Sequence, residues 1–298
     1  MQITETHYAG YDCLKLDNGS LALWVTTAVG PRIIGAELPG GANILAELPD
    51  ATIPRGNGDN FALRGGHRLW HAPEMALRTY IPDDDPLEVT EIENGVCLSQ
   101  PIEADSGIAK SMFVSLLGDG AQAMIDHTVT NHGLWPVELA PWAITQLKPG
   151  GFGILPQVQE DTGLLPNRRI ALWPYTPINS PHIVWGDCFV FVKADMSDGA
   201  LKIGWANPAG WLAYAVDDSL FVKQTAYQPQ ADYFDFGSSS ECYCGPAFIE
   251  LETLGPKVTL EPGEATTHRE TWALYGDVQV AAEETAVAAL AAELGLPQ

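Results

Sequence analysis

Short runs in which apolar and polar residues alternate recur along most of the chain. In residues 20–27, for example, Leu21, Leu23 and Val25 occupy alternate positions, and a period of two is typical of a strand with one buried face. Further strands are predicted at residues 110–117, 124–131, 136–147, 183–194, 201–205, 212–216, 219–223, 248–254, 257–260 and 266–275. Many short strands without helical periods between them predict an all-β sandwich or barrel.

Only the C-terminal region has a convincing helical pattern. Residues 280–294 are rich in Ala, and the sequence Gly-Leu-Pro that follows predicts a helix end there. Asp217-Asp218 and Pro262-Gly263 each lie between β-type runs and predict tight turns.

Two longer stretches lack a regular pattern. Residues 49–66 are rich in Pro, Gly, Asp and Asn, and residues 225–243 mix aromatic and acidic side chains. Both are predicted to be irregular, and loops of this length are often functional. No internal repeat or linker is evident, so we expect residues 1–298 to form one domain.

The charge of the chain is strongly negative. Its 15 Lys and Arg residues oppose 38 Asp and Glu residues, which gives a net charge of -23. A nucleic-acid-binding protein needs a basic surface, and anionic membranes are repelled by this charge. We therefore expect neither nucleic acid nor membrane as a partner, whereas a neutral sugar is compatible with an acidic surface.

The N-terminal residues show no basic segment followed by an apolar one, so no signal peptide is predicted. Five scattered cysteines suit reduced thiols, and we expect a cytoplasmic location. Cys242 and Cys244 are the only close pair, and no second Cys or His pair stands at zinc-finger spacing. We expect no metal and no cofactor.

Charged and aromatic residues are concentrated just after Gly65 and Gly66. His67 and His71 have helical spacing, but the two glycines and Pro73 argue against a helix, and the His-Glu-x-x-His motif is absent. A strand or loop that carries a binding site is one interpretation, and arginines paired with surplus carboxylates are the other. The candidate residues here are Arg64, His67, Arg68, Trp70, His71 and Glu74.

A second candidate is the acidic pattern within residues 248–253. On a strand, Glu250 and Glu252 share one face, with Cα atoms roughly 6.6 Å apart. In a cleft, mutual repulsion and burial would raise the pKa of one carboxyl, and such a pair could exchange protons with a substrate. The alternative is a solvated acidic face. His127 alternates with Ile125 and Val129, which predicts an inward histidine with satisfied hydrogen bonds.

The chain contains nine tryptophans. Flat indole rings suit the apolar face of a pyranose, although most aromatic residues serve core packing. We expect two or three of them to contact a ligand, with Trp70 the first candidate.

Several motifs, in order, resemble the galactose-mutarotase-like (aldose 1-epimerase) superfamily, and more closely a bacterial branch of it. The resemblance covers nearly the whole chain, and the order and spacing of the motifs are more specific than any one of them. The motifs lie at residues 30–35 with 40–45, 65–70, 130–137, and 250–256 with 260–264.

The resemblance implies an antiparallel β-supersandwich with a sugar cleft on its concave sheet, to which the residue pattern adds the short C-terminal helix. In mutarotases a glutamate removes the proton of the anomeric hydroxyl and a histidine protonates the ring oxygen. Glu252 matches that glutamate, but Trp142 stands near the position of the histidine, so His67 or His71 becomes the candidate acid. The candidate substrate-binding residues are Arg64, Arg68, Trp70, Glu74, Trp142, Glu241 and Glu250.

Three functions remain open from the sequence. The first is interconversion of the anomers of a free sugar. The second is sugar binding without chemistry. The third is a glycoside hydrolase or lyase that uses the pair of glutamates, although two carboxylates on one strand rarely flank a scissile bond from opposite sides. The sequence names neither the sugar nor the oligomeric state.

Overall fold

The chain forms two large antiparallel β-sheets that pack face to face. The computed structural model describes residues 1–297. The strands are β1 (Gln2–Tyr8), β2 (Tyr11–Asp17), β3 (Ala22–Thr26), β4 (Arg32–Glu37), β5 (Glu47–Pro54), β6 (Asn60–Gly65), β7 (His67–Ala72), β8 (Glu88–Ile92), β9 (Gly95–Ser99), β10 (Ile108–Leu116), β11 (Gln122–Asn131), β12 (Val137–Leu147), β13 (Phe152–Pro156), β14 (Ile170–Leu172), β15 (Ile183–Trp185), β16 (Phe189–Lys193), β17 (Leu201–Trp205), β18 (Trp211–Val216), β19 (Ser219–Thr225), β20 (Ser240–Cys244), β21 (Ile249–Leu254), β22 (Val258–Leu260) and β23 (Ala265–Tyr275). The helices are α1 (Ala76–Thr79), α2 (Phe234–Gly237) and α3 (Glu284–Glu293).

The first sheet contains eleven strands in the order β1-β2-β3-β4-β7-β12-β21-β20-β17-β14, with β22 paired to β12. The second contains ten strands in the order β15-β16-β13-β18-β19-β23-β11-β10-β9-β8. Strands β5 and β6 form a separate hairpin. The middle of the first sheet therefore combines strands from distant parts of the chain.

The main core lies between the two sheets. Along β11, for example, Ala123, Ile125, His127 and Val129 are buried at alternate positions, as expected for a strand with one face against a core. A fully buried aliphatic side chain contributes about 1.5–3 kcal/mol relative to an exposed one. A second apolar cluster lies where α3 packs against residues of the ten-stranded sheet, through Val287 and Ala291.

Most predicted strands coincide with observed ones within a few residues, and the all-β prediction is confirmed. The single strand predicted at residues 183–194 is two strands, β15 and β16, because the chain turns at Gly186 between them. The predicted C-terminal helix is shorter, at Glu284–Glu293. Asp217, with φ 53°, forms the predicted turn between β18 and β19.

The loop predicted at residues 49–66 is wrong, because this segment forms the hairpin β5–β6. Its first strand contains Pro49 and Pro54, which are unusual within a strand, and a register shift between Leu48 and Thr52 interrupts the pairing. Residues 226–239 are irregular as predicted and include the short turn α2, where Asp235 and Phe236 have positive φ, whereas residues 240–243 belong to strand β20. Within residues 1–297, no helix is long and apolar enough to cross a membrane.

Candidate functional site

Five neighbouring strands at the middle of the eleven-stranded sheet position the candidate site. Their register places Arg68 beside Ile144, Ile144 beside Glu252, and Glu252 beside Glu241. Residues directly opposite each other in an antiparallel pair lie on the same face of a sheet. These strands thereby bring charged groups from β7, β21 and β20 to one face, which is the face turned away from the main core.

A cleft of about 630 Å³ opens on this face. Ile53 and Leu63 of the β5–β6 hairpin form part of its wall, and Phe61 of the same hairpin packs edge-on against Trp70. The polar and aromatic residues that line the cleft are Arg68, Trp70, Glu74, Tyr80, Trp142, Trp173, Tyr175, Lys202, Tyr243, Phe248 and Glu250.

Lys202 is the centre of a buried ionic cluster at the floor of the cleft. Its Nζ lies 2.7 Å from Glu241 Oε2 and 2.9 Å from Glu252 Oε2. The ammonium also lies 4.6 Å and 4.8 Å from the ring centroids of Trp142 and Trp173. Burial alone would lower the pKa of Lys202, but the two carboxylates raise it well above its ordinary value. Lys202 is therefore a fixed cation.

The two carboxylates of this cluster are completely buried. Trp142 Nε1 donates a hydrogen bond of 2.7 Å to Glu252 Oε2, so Trp142 and Lys202 bind the same oxygen and separate Glu252 from the cleft. Burial, and then the charge of Glu252, raise the pKa of Glu241 well above its ordinary value, although Lys202 opposes the shift. With two carboxylates for one ammonium, the cluster has a surplus negative charge or holds an extra proton.

Glu250 reaches the cleft and belongs to a second charged group. Arg68 Nη2 donates to Glu250 Oε1 at 3.0 Å, and Gln146 Nε2 donates to the same oxygen at 2.9 Å. The Arg68 guanidinium stacks over Trp70 at 4.1 Å from the ring centroid, a cation–π geometry. Burial raises the pKa of Glu250 above its ordinary value despite Arg68, which makes this carboxyl a better proton acceptor than an exposed one.

Glu74 and Arg64 occupy different places at the edge of this region. Glu74 is exposed at the rim of the cleft, where it accepts a hydrogen bond from Tyr80 Oη. Arg64, at the end of β6, lies 2.7 Å from Asp83 Oδ1 and also pairs with Asp84. The structure thus places Arg64 in an ion-pair group outside the cleft lining.

His67 and His71 lie on the opposite face of β7 from Arg68 and Trp70. Both histidines are fully buried between the two sheets, because successive residues of a strand alternate between its faces. Burial lowers the pKa of each well below its ordinary value. The structure therefore does not bring either histidine together with Glu252, and neither can protonate a ligand in the cleft.

His67 belongs to a buried network that joins the two sheets. Its Nε2 lies 2.7 Å from His127 Nε2, and its Nδ1 lies 2.9 Å from Thr145 Oγ1. His127 Nδ1 lies 2.9 Å from the carbonyl oxygen of His268, so this nitrogen donates and Nε2 of His127 accepts from His67. His127 thus has the satisfied inward position that its strand pattern predicts.

Glu270 supplies the negative charge of this network. Its Oε1 lies 2.9 Å from Lys223 Nζ, and its Oε2 accepts a hydrogen bond of 2.9 Å from Trp272 Nε1. One ligand atom each of His67, His127 and Glu270 lies within 4.8 Å of the others, which is a spacing that a metal ion could bridge. Since His67 Nε2 carries the proton that it donates to His127, and His127 Nε2 and Glu270 Oε2 already accept hydrogen bonds, the set fits a hydrogen-bonded network better than a metal centre.

Several residues of the cleft were missed by the sequence reasoning. The pattern of β17 could have indicated Lys202. It is the only charged residue of this strand, and it lies on the opposite face from Leu201, Ile203 and Trp205. No pattern distinguishes the cleft-lining aromatic residues from core residues, since Trp70 and Trp142 are only 4% and 3% exposed. The others missed are Tyr80, Tyr175, Tyr243 and Phe248 in the cleft lining, and Gln146, which donates a hydrogen bond to Glu250 behind it.

This arrangement of two antiparallel sheets is that of the galactose-mutarotase-like β-supersandwich, and the predicted fold is confirmed. Solved structures similar to this chain include a galactose mutarotase-like protein from Lactobacillus casei (TM-score 0.59, 12% identity, 88% of this chain and 100% of that chain). A protein of Escherichia coli K12 provisionally named an aldose 1-epimerase is also similar (TM-score 0.55, 13% identity, 92% and 100%).

A third similar structure is a TPR-domain containing protein from Parabacteroides distasonis, with a TM-score of 0.62 and 13% identity over 92% of this chain. The chain spans 50% of the length of that protein. At these identities the comparisons show the fold alone. No protein-family profile and no curated protein sequence matches the chain.

Proposed function

We propose that the chain binds a small sugar in the cleft on the eleven-stranded sheet. The observation that carries this proposal is the combination of aromatic rings with charged groups around one cavity of about 630 Å³. Cavities of roughly 300–1,000 Å³ suit small ligands. Partly exposed rings such as those of Trp173 and Tyr175 can cover the C–H face of a pyranose, while Arg68, Lys202 and Glu250 offer partners for its hydroxyls.

The similar structures support the same ligand class, because two of them carry the names of sugar mutarotases or epimerases. A charge-neutral sugar also suits the cleft, since each cation on its floor already has a carboxylate partner.

Interconversion of sugar anomers is the second candidate function, and the position of Glu250 favours it. This carboxyl lines the cleft, and burial raises its pKa, so it can accept the proton of an anomeric hydroxyl. Glu252, the base that the resemblance implies, is separated from the cleft by Lys202 and Trp142. We therefore propose Glu250 for proton transfer and Glu252 for fixing Lys202.

Calorimetric titration with neutral aldohexoses tests the first proposal. We expect saturable binding, weakened by about three- to tenfold in Trp173→Ala, because stacking on an aromatic ring contributes about 0.5–1.5 kcal/mol beyond its buried area. Trp185→Ala, at an exposed tryptophan of β15 in the other sheet, is the matched control and should bind as the unaltered protein does. Absence of binding to every aldohexose would contradict the proposal.

Exchange spectroscopy by nuclear magnetic resonance separates the two functions. Accelerated exchange between α and β anomers that is lost in Glu250→Gln, with binding retained, supports catalysis. Binding without acceleration supports a binding protein. Glu88→Gln, at an exposed position of β8, removes the same charge outside the cleft and should leave both properties unchanged.

A further inference from the structure

The balance of charges in the cleft indicates which class of sugar it accepts. We propose that the cleft selects sugars that carry an ammonium group over sugars that carry a carboxylate or a phosphate. This inference rests on the proposed sugar binding at the same site and adds the charge of the ligand.

Each cation of the cleft already has a carboxylate partner, so an anionic ligand meets no unpaired positive charge there, although Arg68 Nε and Nη1 keep N–H groups without a partner. Arg68 is paired with Glu250, and its guanidinium lies flat on Trp70. Lys202 lies within 3 Å of an oxygen of both Glu241 and Glu252. An anion would have to compete with these buried carboxylates, and displacing one would leave a buried charge without a partner, which is costly.

The carboxylates outnumber the cations. The Arg68–Glu250 pair is neutral, the Lys202 cluster has one more carboxylate than ammonium groups, and Glu74 adds a further negative charge at the rim. If the Lys202 cluster holds an extra proton, the total charge of the cleft is still negative because of Glu74. The net charge of -23 for the whole chain has the same sign, so long-range attraction also favours a cationic ligand.

The aromatic residues at the mouth of the cleft reinforce this preference. Tyr175 is 47% exposed, and its ring centroid lies 6.4 Å from that of Tyr243. Trp173 lies on the same side and is partly exposed. Ring faces attract an ammonium group, most strongly where water is excluded. Trp70, Trp142 and Trp173 already hold the protein's own cations, so the exposed ring of Tyr175 and the solvent side of Trp173 are left for the ligand.

A series of sugars that differ only at carbon 6 tests the proposal. The probes are glucose, 6-amino-6-deoxyglucose, glucuronate and glucose 6-phosphate, with the corresponding galactose series, titrated calorimetrically at about pH 7, where the amine is protonated. We expect the amino sugar to bind about three- to tenfold more tightly than the neutral sugar, and the two anions at least about tenfold more weakly. In about 0.5 M salt the differences should shrink because exposed charges are screened.

A matched pair of variants locates the effect. Glu74→Gln should reduce the ratio of amino-sugar affinity to neutral-sugar affinity by at least about twofold, whereas Glu88→Gln makes the same change of charge on β8 and should preserve the ratio. Tighter binding of glucuronate or glucose 6-phosphate than of the amino sugar would overturn the charge preference and leave sugar binding intact. Equal ratios in both variants would also overturn it. If none of the probes binds, the proposed function fails and the preference fails with it.

Discussion

At the scale of single residues, Lys202 determines more of the site than any residue predicted from the sequence. Its ammonium pairs with both Glu241 and Glu252 and lies within 5 Å of the centroids of two indole rings. A buried charge of this kind stabilises the fold only as long as its partners are present. The cluster is therefore sensitive to the loss of any one member.

Replacement of Lys202 by Met should lower the free energy of unfolding by about 3–5 kcal/mol, because two buried carboxylates lose their partner. Urea denaturation measures this loss. Lys148→Met is the control, since Lys148 is 42% exposed and pairs with Glu47 at the surface, and it should cost at most about 1 kcal/mol. Adding Glu241→Gln to Lys202→Met should restore part of the stability. Equal losses at positions 202 and 148 would contradict the ionic cluster.

The limits of sequence reasoning are clearest at β7. The alternation of Arg68 and Trp70 with His67 and His71 predicts two faces, but every residue of β7 is buried, so neither face is marked as the solvent side. The ten-stranded sheet packs against the His67 face through His127, and this packing leaves the Arg68 face for the cleft. The alternation at Glu250 and Glu252 predicts that they share a face of the strand. It does not indicate that Lys202 separates Glu252 from the cleft.

At the scale of elements, the hairpin β5–β6 and its junction with β7 shape one wall of the cleft. Gly65 and Gly66 at this junction have φ of +86° and +68°, a region that residues with a Cβ rarely adopt. The Gly66 amide donates to the carbonyl of Ala46, and its carbonyl accepts from Gln146. The sequence predicts an irregular segment that ends at the two glycines, because Pro49 and Pro54 hide the strand character of β5.

Gly66→Ala should destabilise the protein because a Cβ at this position would lie 2.2 Å from the carbonyl oxygen of Ile33. Gly40→Ala is the matched control, since Gly40 also has positive φ (+73°) but has no atom within 4 Å of a Cβ. We expect the control to cost about 1 kcal/mol for backbone strain and Gly66→Ala about 3 kcal/mol more. Denaturation midpoints of the two variants give the comparison, and similar midpoints would show that the junction tolerates a side chain.

At the scale of the whole molecule, the buried histidines couple folding to pH. Burial lowers the pKa of His67, His71 and His127 below the ordinary value and that of His268 to about 3. Their pKa is depressed in the folded state, so below about pH 6.5 the unfolded chain binds more protons at these positions. The stability they provide is present above this pH and falls as the pH falls.

We expect the free energy of unfolding to decrease by about 2–4 kcal/mol between pH 6.5 and pH 5.5, at about 1 kcal/mol for each buried histidine. Glu241 and Glu250 offset part of this loss, because their pKa is raised and the folded chain binds protons there. Urea denaturation at several pH values measures how steeply the free energy of unfolding falls with decreasing pH. The Glu250→Gln variant should show a steeper fall. Stability that is constant or rises over this interval would rule out neutral buried histidines.

The order of strands in the eleven-stranded sheet has a consequence for how the cleft forms in time. Arg68 lies opposite Ile144 in the sheet, and Ile144 lies opposite Glu252. The floor of the cleft is therefore assembled from three segments that are far apart along the chain. Sheets dominated by such long-range pairing fold slowly, on the order of milliseconds to seconds or longer. A sugar that needs all three strands binds only the finished sheet, so it should slow unfolding while leaving the folding rate unchanged.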